Sequence, residues 1–442
     1  RPRRARDVPA VPRQRGTQEG AIKLAQGALT RLHERHVGTG FDAYVAKLAP
    51  SGDLVWNTFL GGGGTDTGFS VAVDPRTGEV FVAGSTTNTS TATWGSPIRP
   101  RYGSDAFVAA LDTSGGLLWS TFLGGLGTDS GAGIALDENG GLLVTGNSAS
   151  TAFGPNSAVD EAAGIYPLPV RVHSGSGTDA YVARLQPSGH LDWYTYLGGT
   201  GTDNGRAVAV RDATIAVAGS SSATWASPVR PFKGGTDAFV ATLDAQGHLG
   251  WMAFDGSTAS DIHRAIAFGP DGDIYVAGQS ASSWGNPVRP SSNSDAHLLR
   301  LDADGSLLWN TFLGGEGTDI GWAIGIDPLR GPVVTGTSDW EWGTPDNPYD
   351  LTSGADGFAA GVDYDGNLIW NTFFGSTGED SLDDQQRGTA VDAIGNVFVA
   401  GFDSPSWGDP IRPFTGGPGA PTDGYAAKLT VELDADGDVL SD

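Results

Sequence analysis

The chain has no cysteine and one methionine, Met252. Without cysteine there are no disulfides, thiolate metal ligands or cysteine nucleophiles. No run of about 18 or more apolar residues occurs, so no helical membrane insertion is expected. The basic start, "RPRRARDVPAVPRQRG", is not followed by an apolar core, so no signal peptide is read. The chain opens without an initiator methionine and is expected to be an excerpt or a processed product. Basic residues are scarce: 26 Lys and Arg face 51 Asp and Glu, a net charge of −25. So acidic a body repels phosphate backbones, which excludes nucleic acid as the main partner. The charge is uneven, because residues 1–40 hold nine of the Lys and Arg and three of the Asp and Glu.

Glycine, by contrast, is abundant, with 68 residues beside 25 prolines. It lacks the Gly-X-Y period of collagen and accompanies plentiful Val, Leu, Phe and Trp. The composition reads as short strands joined by tight turns. The order comes from a repeat. "DAYVAKL" at Asp42 returns as "DAFVAAL" at Asp105, "DAYVARL" at Asp179, "DAFVATL" at Asp237, "DAHLLRL" at Asp295, "DGFAAGV" at Asp356 and "DGYAAKL" at Asp423.

Six units lie between the seven copies, each with four strand-like pieces. In the first unit these are "AYVAKL", "LVWNTFL", "FSVAVD" and "EVFVAGS". All alternate at period 2, as half-buried strands do. Short glycine turns such as "DTSGG" and "DADGS" join the first pair, and "DENGG" or "GPDGD" the last pair. One unit is therefore read as an antiparallel four-stranded meander. Alone, such a sheet has two faces to bury and two open edges. A ring of such sheets packed face to face solves this, so the expected fold is an all-β propeller. Six four-stranded blades are expected over residues 41–431, with seven as the alternative. The Asp423 copy is expected to close the ring by pairing with the first blade. Residues 1–40 form a basic leader with one short helix expected in "QEGAIKLAQGALTRLHERH", and residues 432–442 an acidic tail.

The string "WNTFLGGGGTD" at Trp56, with its relatives, places Trp56, Trp119, Trp193, Trp251, Trp309 and Trp370 at one position. A large ring there fills the wedge between blades. The aspartates ending the string (Asp66, Asp129, Asp203, Asp261, Asp319, Asp380) are expected to accept backbone N–H bonds and pin the turn.

The full string, "DGFAAGV" through "GNVFVAG" in Asp356–Gly401, resembles the bacterial SBBP β-propeller repeat family over about residues 42–430. That resemblance implies an exported or cell-surface protein, often part of a larger multidomain chain, and no defined enzymatic activity.

A second motif follows the fourth piece: "WGSPIRP" at Trp94, "WASPVRP" at Trp225, "WGNPVRP" at Trp284 and "WGDPIRP" at Trp407, degraded to "WGTPDNP" at Trp342. Trp stacks on sugar faces and Arg forks onto carboxylates. Trp94, Arg99, Trp225, Arg230, Trp284, Arg289, Trp342, Trp407 and Arg412 are thus the candidate ligand-binding residues. The competing reading has Trp filling a gap, Pro stiffening the loop and Arg pairing with a neighbouring Asp. Function more often sits where repeats differ, which singles out Ala152–His173 and Ser338–Asp350.

No HExxH, GxSxG or phosphate loop is present, and the seven histidines do not recur in register. "ALDTSGGLLW" (Ala110–Trp119) resembles the tryptophan-docking pattern of quinone-dependent dehydrogenase propellers, the distant enzyme alternative. Asp434, Asp436, Asp438 and Asp442 fall at positions 1, 3, 5 and 9, a spacing that wraps Ca²⁺. It resembles the start of a thrombospondin type 3-like repeat, and a plain acidic tail is the other reading. No other cofactor is expected. The leading functional expectation is a non-catalytic secreted or surface scaffold for adhesion, its partner a protein or a surface glycan. A glycan-binding propeller is the close alternative.

Overall fold

The computed structural model describes residues 22–26, 41–87, 95–154, 167–349, 354–374, 385–403, 410–411 and 423–430. All regular structure among them is strand. The strands group into seven antiparallel sheets, of which III and IV are linked by a two-residue parallel pairing of Gly177 and Thr178 with Gly201 and Thr202. Sheet I is β1 (Ile22–Gln26), β2 (Ala43–Leu48) and β3 (Leu54–Leu60). Sheet II is β4 (Asp66–Val73), β5 (Val80–Thr86), β6 (Ala106–Leu111) and β7 (Leu117–Leu123). Sheet III is β8 (Asp129–Leu136), β9 (Leu142–Ser148), β10 (Gly177–Leu185) and β11 (Leu191–Leu197). Sheet IV is β12 (Gly201–Arg211), β13 (Thr214–Ser221), β14 (Asp237–Leu243) and β15 (Leu249–Asp255). Sheet V is β16 (Asp261–Phe268), β17 (Ile274–Ser280), β18 (Asp295–Leu301) and β19 (Leu307–Leu313). Sheet VI is β20 (Asp319–Asp327), β21 (Gly331–Ser338), β22 (Asp356–Val362) and β23 (Leu368–Phe374). Sheet VII is β24 (Gln385–Val391), β25 (Val397–Asp403) and β26 (Asp423–Leu429).

The fold class is the expected one, an all-β propeller, with the repeat cut at a different point. "LVWNTFL" does not pair with the "FSVAV" strand that follows it. β3 ends sheet I and β4 begins sheet II. Each sheet therefore opens on the strand after "GGxGTD" and closes on the tryptophan strand. Regrouped in this way, the described strands make seven sheets, with three-stranded ones at each end of the series. The Asp423 copy forms β26 and pairs with β25, not with the first sheet. Of the stretch in which a short helix is expected, only "IKLAQ" is among the described residues, and it is strand β1, paired with β2 from Ile22↔Lys47 to Gln26↔Ala43. A five-residue apolar stripe fits either period, and an open edge on β2 supplies the hydrogen bonds that decide for strand. β1 also touches β25 and β26, so the first and last sheets are neighbours.

The hydrophobic cores lie between sheets. Along β10, Tyr181, Ala183 and Leu185 pack into the core shared with sheet II, while Ala180 and Val182 pack into the core shared with sheet IV. Period-2 alternation thus sends each side chain to one neighbour or the other. This is why the third strands are mostly apolar: β6, β14 and β22 are buried at every position. The first strands β4, β8, β12, β16, β20 and β24 contact one another in succession, as strands around the axis of a ring must.

Candidate functional site: the loop-bearing face

In an antiparallel meander, the starts of strands one and three and the ends of strands two and four share one side. The long second-to-third connections and the sheet-to-sheet "GGxGTD" connections therefore emerge on one face. The opposite face carries only hairpins. There Asp112, Asp302 and Asp363 each accept backbone N–H bonds from two and four residues ahead, closing uniform turns. "DADG" at Asp302 is such a turn, as the sequence indicates, with Gly305 at φ 83°.

Five of the six tryptophans of "WNTFLGG" reach the hairpin of the next sheet. The indole Nε1 of Trp56 donates to Thr113 O at 3.0 Å, Trp119 to Pro187 O at 3.1 Å, Trp193 to Ala245 O at 3.1 Å, Trp251 to Ala303 O at 2.8 Å and Trp309 to Tyr364 O at 2.9 Å. Each of these rings lies on the hairpin glycine. A Cβ on Gly305 would sit 2.7 Å from Trp251 Cε3, so this glycine serves both its positive φ and the close approach. Trp119, the end of the dehydrogenase-like pattern, is one of these staples.

The recurrent aspartates form a second set of staples at each seam, on the loop-bearing face. Asp129 accepts from Gly125 N at 2.9 Å, Asp203 from Gly199 N at 3.0 Å, Asp261 from Ser257 N at 2.8 Å and Asp319 from Gly315 N at 3.1 Å. Their other oxygens accept the hydroxyls of Ser148, Ser221, Ser280 and Ser338, the last residues of β9, β13, β17 and β21. Across the seam stands the aspartate that opens the third strand of the preceding sheet. Asp105 there accepts from Tyr102 N at 2.7 Å and Asp237 from Lys233 N at 2.6 Å. The two carboxylates converge on a glycine: a Cβ on Gly124 would lie 2.6 Å from Asp129 Oδ2 and 2.9 Å from Asp105 Oδ1. Burial pushes Asp105 and Asp319 up to about 7, and Asp203 and Asp237 up to about 6. The nearby opposing carboxylate adds to this rise. Among the described residues no cluster of three or more potential metal ligands occurs. Asp380 lies outside the described residues.

The "WxxPxRP" residues are packed rather than displayed. Trp225, Trp284 and Trp342 are buried. Trp225 meets Phe239 edge-on at 5.4 Å and Trp342 meets Phe358 at 5.2 Å. In sheet III, where the motif is replaced by an insert, Phe153 takes this place and stacks on Tyr194 at 4.3 Å. The following residues run alongside the fourth strand. Val229 N donates to Met252 O at 2.8 Å and Phe254 N to Arg230 O at 3.0 Å, with the same pair of bonds at Val288 and Arg289. The motif thus covers the outer edge of the sheet. Arg230 grips Asp255 at 2.7 and 2.8 Å. Arg289 donates to Phe312 O at 2.8 Å and Gly314 O at 2.6 Å, and lies over Trp342 of the next sheet at 5.6 Å. Arg99 is buried, and its carbonyl accepts from Phe122 N at 3.3 Å. Trp94, Trp407, Arg412, Asp434, Asp436, Asp438 and Asp442 lie outside the described residues.

Sequence reading missed one pair. His263 in β16 and His297 in β18 are fully buried, with ring centroids 5.1 Å apart. His263 Nδ1 donates to Phe239 O at 3.2 Å across the seam between sheets IV and V. Among the described residues no hydrogen-bond partner meets His263 Nε2 or either nitrogen of His297. Burial brings His263 down to about 3 and His297 well below the ordinary histidine range. The signal was present in the alignment of repeats: His263 stands where other sheets have Gly131, Gly205 and Gly321, and His297 where they have Phe107, Phe239 and Phe358.

Two family models agree with this architecture. A model described as "Beta-propeller repeat" (SBBP) matches residues 118–154. A second, "Domain of unknown function (DUF5122) beta-propeller", matches residues 269–307. Both models describe β-propeller repeats, as the fold does, and each matches a single stretch of the chain. "Regulatory protein FlaEY" of Caulobacter vibrioides is 33% identical over 160 residues, 34% of this chain and 16% of that protein. The match therefore spans about a sixth of the relative's length. Among solved structures, hydrazine synthase of Kuenenia stuttgartiensis is 11% identical, with a TM-score of 0.48, over 84% of this chain and 96% of that one. A putative 6-phosphogluconolactonase from Bacteroides uniformis is 12% identical, with a TM-score of 0.43, over 81% and 84%.

Proposed function

We propose that this propeller is a non-catalytic interaction scaffold of an exported or cell-surface protein. The reading rests on the contrast between the two faces. The hairpin face repeats one turn, whereas the second-to-third connections vary from sheet to sheet. In sheet III the connection exposes Leu168, 62% accessible, and Val172, 70% accessible. In sheet VI it exposes Trp340, which no repeat position requires. Apolar side chains displayed on variable loops of a rigid frame are how such frames present a binding surface. The seam tryptophans and aspartates are engaged in holding sheets together, which leaves recognition to these loops.

The test uses fluorescently labelled protein on intact cells of the source organism, beside a variant whose residues 167–173 are replaced by residues 226–232 of sheet IV. Saturable binding by the parent, weakened at least tenfold in the variant, is expected. No binding, or equal binding by both, would sink the scaffold reading. Antibody labelling of unpermeabilised cells tests the surface location.

A further inference from the structure

Trp370 is the sixth of the seam tryptophans and the exception among them. It is 7% exposed, and among the described residues no acceptor meets its indole N–H. A buried donor left unpaired is costly. Trp370 lines a pocket at the hairpin-face end of the seam between sheets VI and VII, whose other walls include Val333, Gly361, Val362, Arg330 and Gly395. Two local changes open it. Phe81 packs on Trp119 and Tyr275 on Trp309, each at 6.1 Å, and the same place in β21 holds the smaller Val333. The residue paired with the tryptophan is Lys47, Ala110, Arg184 or Arg300 in other sheets and Gly361 here. A Cβ on Gly361 would collide with Trp370 Nε1, so the N–H edge lies against this wall of the pocket.

The five engaged tryptophans show what such a site takes. Each receives a turn whose second residue gives its carbonyl to Nε1 and whose glycine lies on the ring. The glycine comes four residues after the third strand ends, as Gly115, Gly189, Gly247, Gly305 and Gly366. A Cβ there would stand 2.7–3.0 Å from the indole, so only glycine fits. Four residues past β26 the sequence has Leu433, and Thr430 replaces the Asp or Gln that opens the turn. The chain's own continuation thus lacks the turn that the other seams use.

Around the pocket the surface is apolar. Leu329 and Ile394 stand beside Arg330 and Gly395 in the first hairpins of sheets VI and VII, 76% and 69% exposed, and Ile369 in the wall is exposed too. The matching hairpins of sheets II to V, "DPRTG", "DENG", "RDAT" and "GPDG", carry no large apolar residue. Arg330 and Asp327, paired at 2.8 Å, add a polar rim. A patch of this kind on one sector of an otherwise polar face marks a protein contact.

We propose that this pocket is a docking site for a glycine turn of a partner polypeptide, of the Asp-x-x-Gly kind that covers the other tryptophans. The partner's turn carbonyl accepts from Trp370 Nε1, its glycine lies on the ring, and its flanking apolar residues meet Leu329, Ile369 and Ile394. The site is on the hairpin face and does not depend on the loop surface proposed above.

Isothermal titration of the whole chain with a head-to-tail cyclised peptide of residues 301–307, "LDADGSL", tests the site. Saturable binding is expected. Trp370→Phe, which keeps a ring and removes the donor, is expected to weaken it about tenfold. Gly305→Ala in the peptide is expected to weaken it at least as much, and this arm decides alone if Trp370→Phe does not fold. No binding by the parent, parental affinity in a folded Trp370→Phe, or equal affinity for the Gly305→Ala peptide would overturn the proposal. Peptide binding that appears only once residues 431–442 are removed would overturn it too, by giving the pocket to the chain's own end.

Discussion

The seam between sheets IV and V holds two imidazoles where the seam between sheets V and VI holds Gly321 and Phe358. Both seams have the same tryptophan staple, Trp251 in one and Trp309 in the other, and the same aspartate clasp. Two seams built on one plan thus differ in the polarity of their cores. The tolerance comes from redundancy: staple, clasp and interdigitated strands hold each seam, so one can carry uncharged imidazoles at 0% exposure without coming apart. The imidazoles give the first seam a response to acid opposite to that of the aspartate clasp, which both seams share. His263 and His297 have lowered pKa values, so the stability they allow is present above about pH 6.5 and is lost as the pH falls toward the folded value. Asp319 has a raised value, about 7. Its contribution is full below about pH 4 and is lost as the pH climbs to 7.

Removing the staple should hurt both seams most. Trp251→Ala and Trp309→Ala are each expected to cost ~3–5 kcal/mol in urea unfolding. A loss in Trp251→Ala much smaller than in Trp309→Ala would show that the imidazole seam is held differently. Next comes His297→Phe, which restores the residue of the other sheets. The parent should lose stability between pH 6.5 and 4.5 through this pair, and the variant should lose less. Parallel pH profiles of the unfolding midpoint would refute the assignment. Asp319→Asn should act in the other direction, flattening the fall in stability between pH 4 and 7. A profile identical to the parent's would mean the carboxylate is not protonated in the fold. The smallest effect belongs to Arg76→Ala. Its ion pair with Asp74, at 2.9 Å, is on a side chain 57% exposed. The expected change is within about 0.5–1 kcal/mol by thermal unfolding, and a larger one would show that this solvent-facing pair outweighs its exposure.

Much of this was legible in the sequence. Period-2 strands, turn glycines and a tryptophan in constant register dictate stacked sheets, and the clasp role of Asp129 and its equivalents follows from residue type and spacing. Where a sheet begins was not legible. "LGGTGTD" between β11 and β12 looks as turn-like as "DADGS" between β18 and β19, and only tertiary pairing shows that the first crosses a seam. β1 was missed because five residues cannot separate the two periods. The histidine pair was hidden by 33 residues of intervening chain, and each member alone resembles an ordinary buried histidine.

The contact of β1 with β25 and β26 has a mechanical corollary. The first and last described strands meet in one sector, so tension applied through flanking segments would load sheets I and VII, each of three described strands, and bypass the five four-stranded ones. Under stretch the molecule would open like a bracelet at its fastening, with its remaining links undisturbed and able to snap shut when the strain is released.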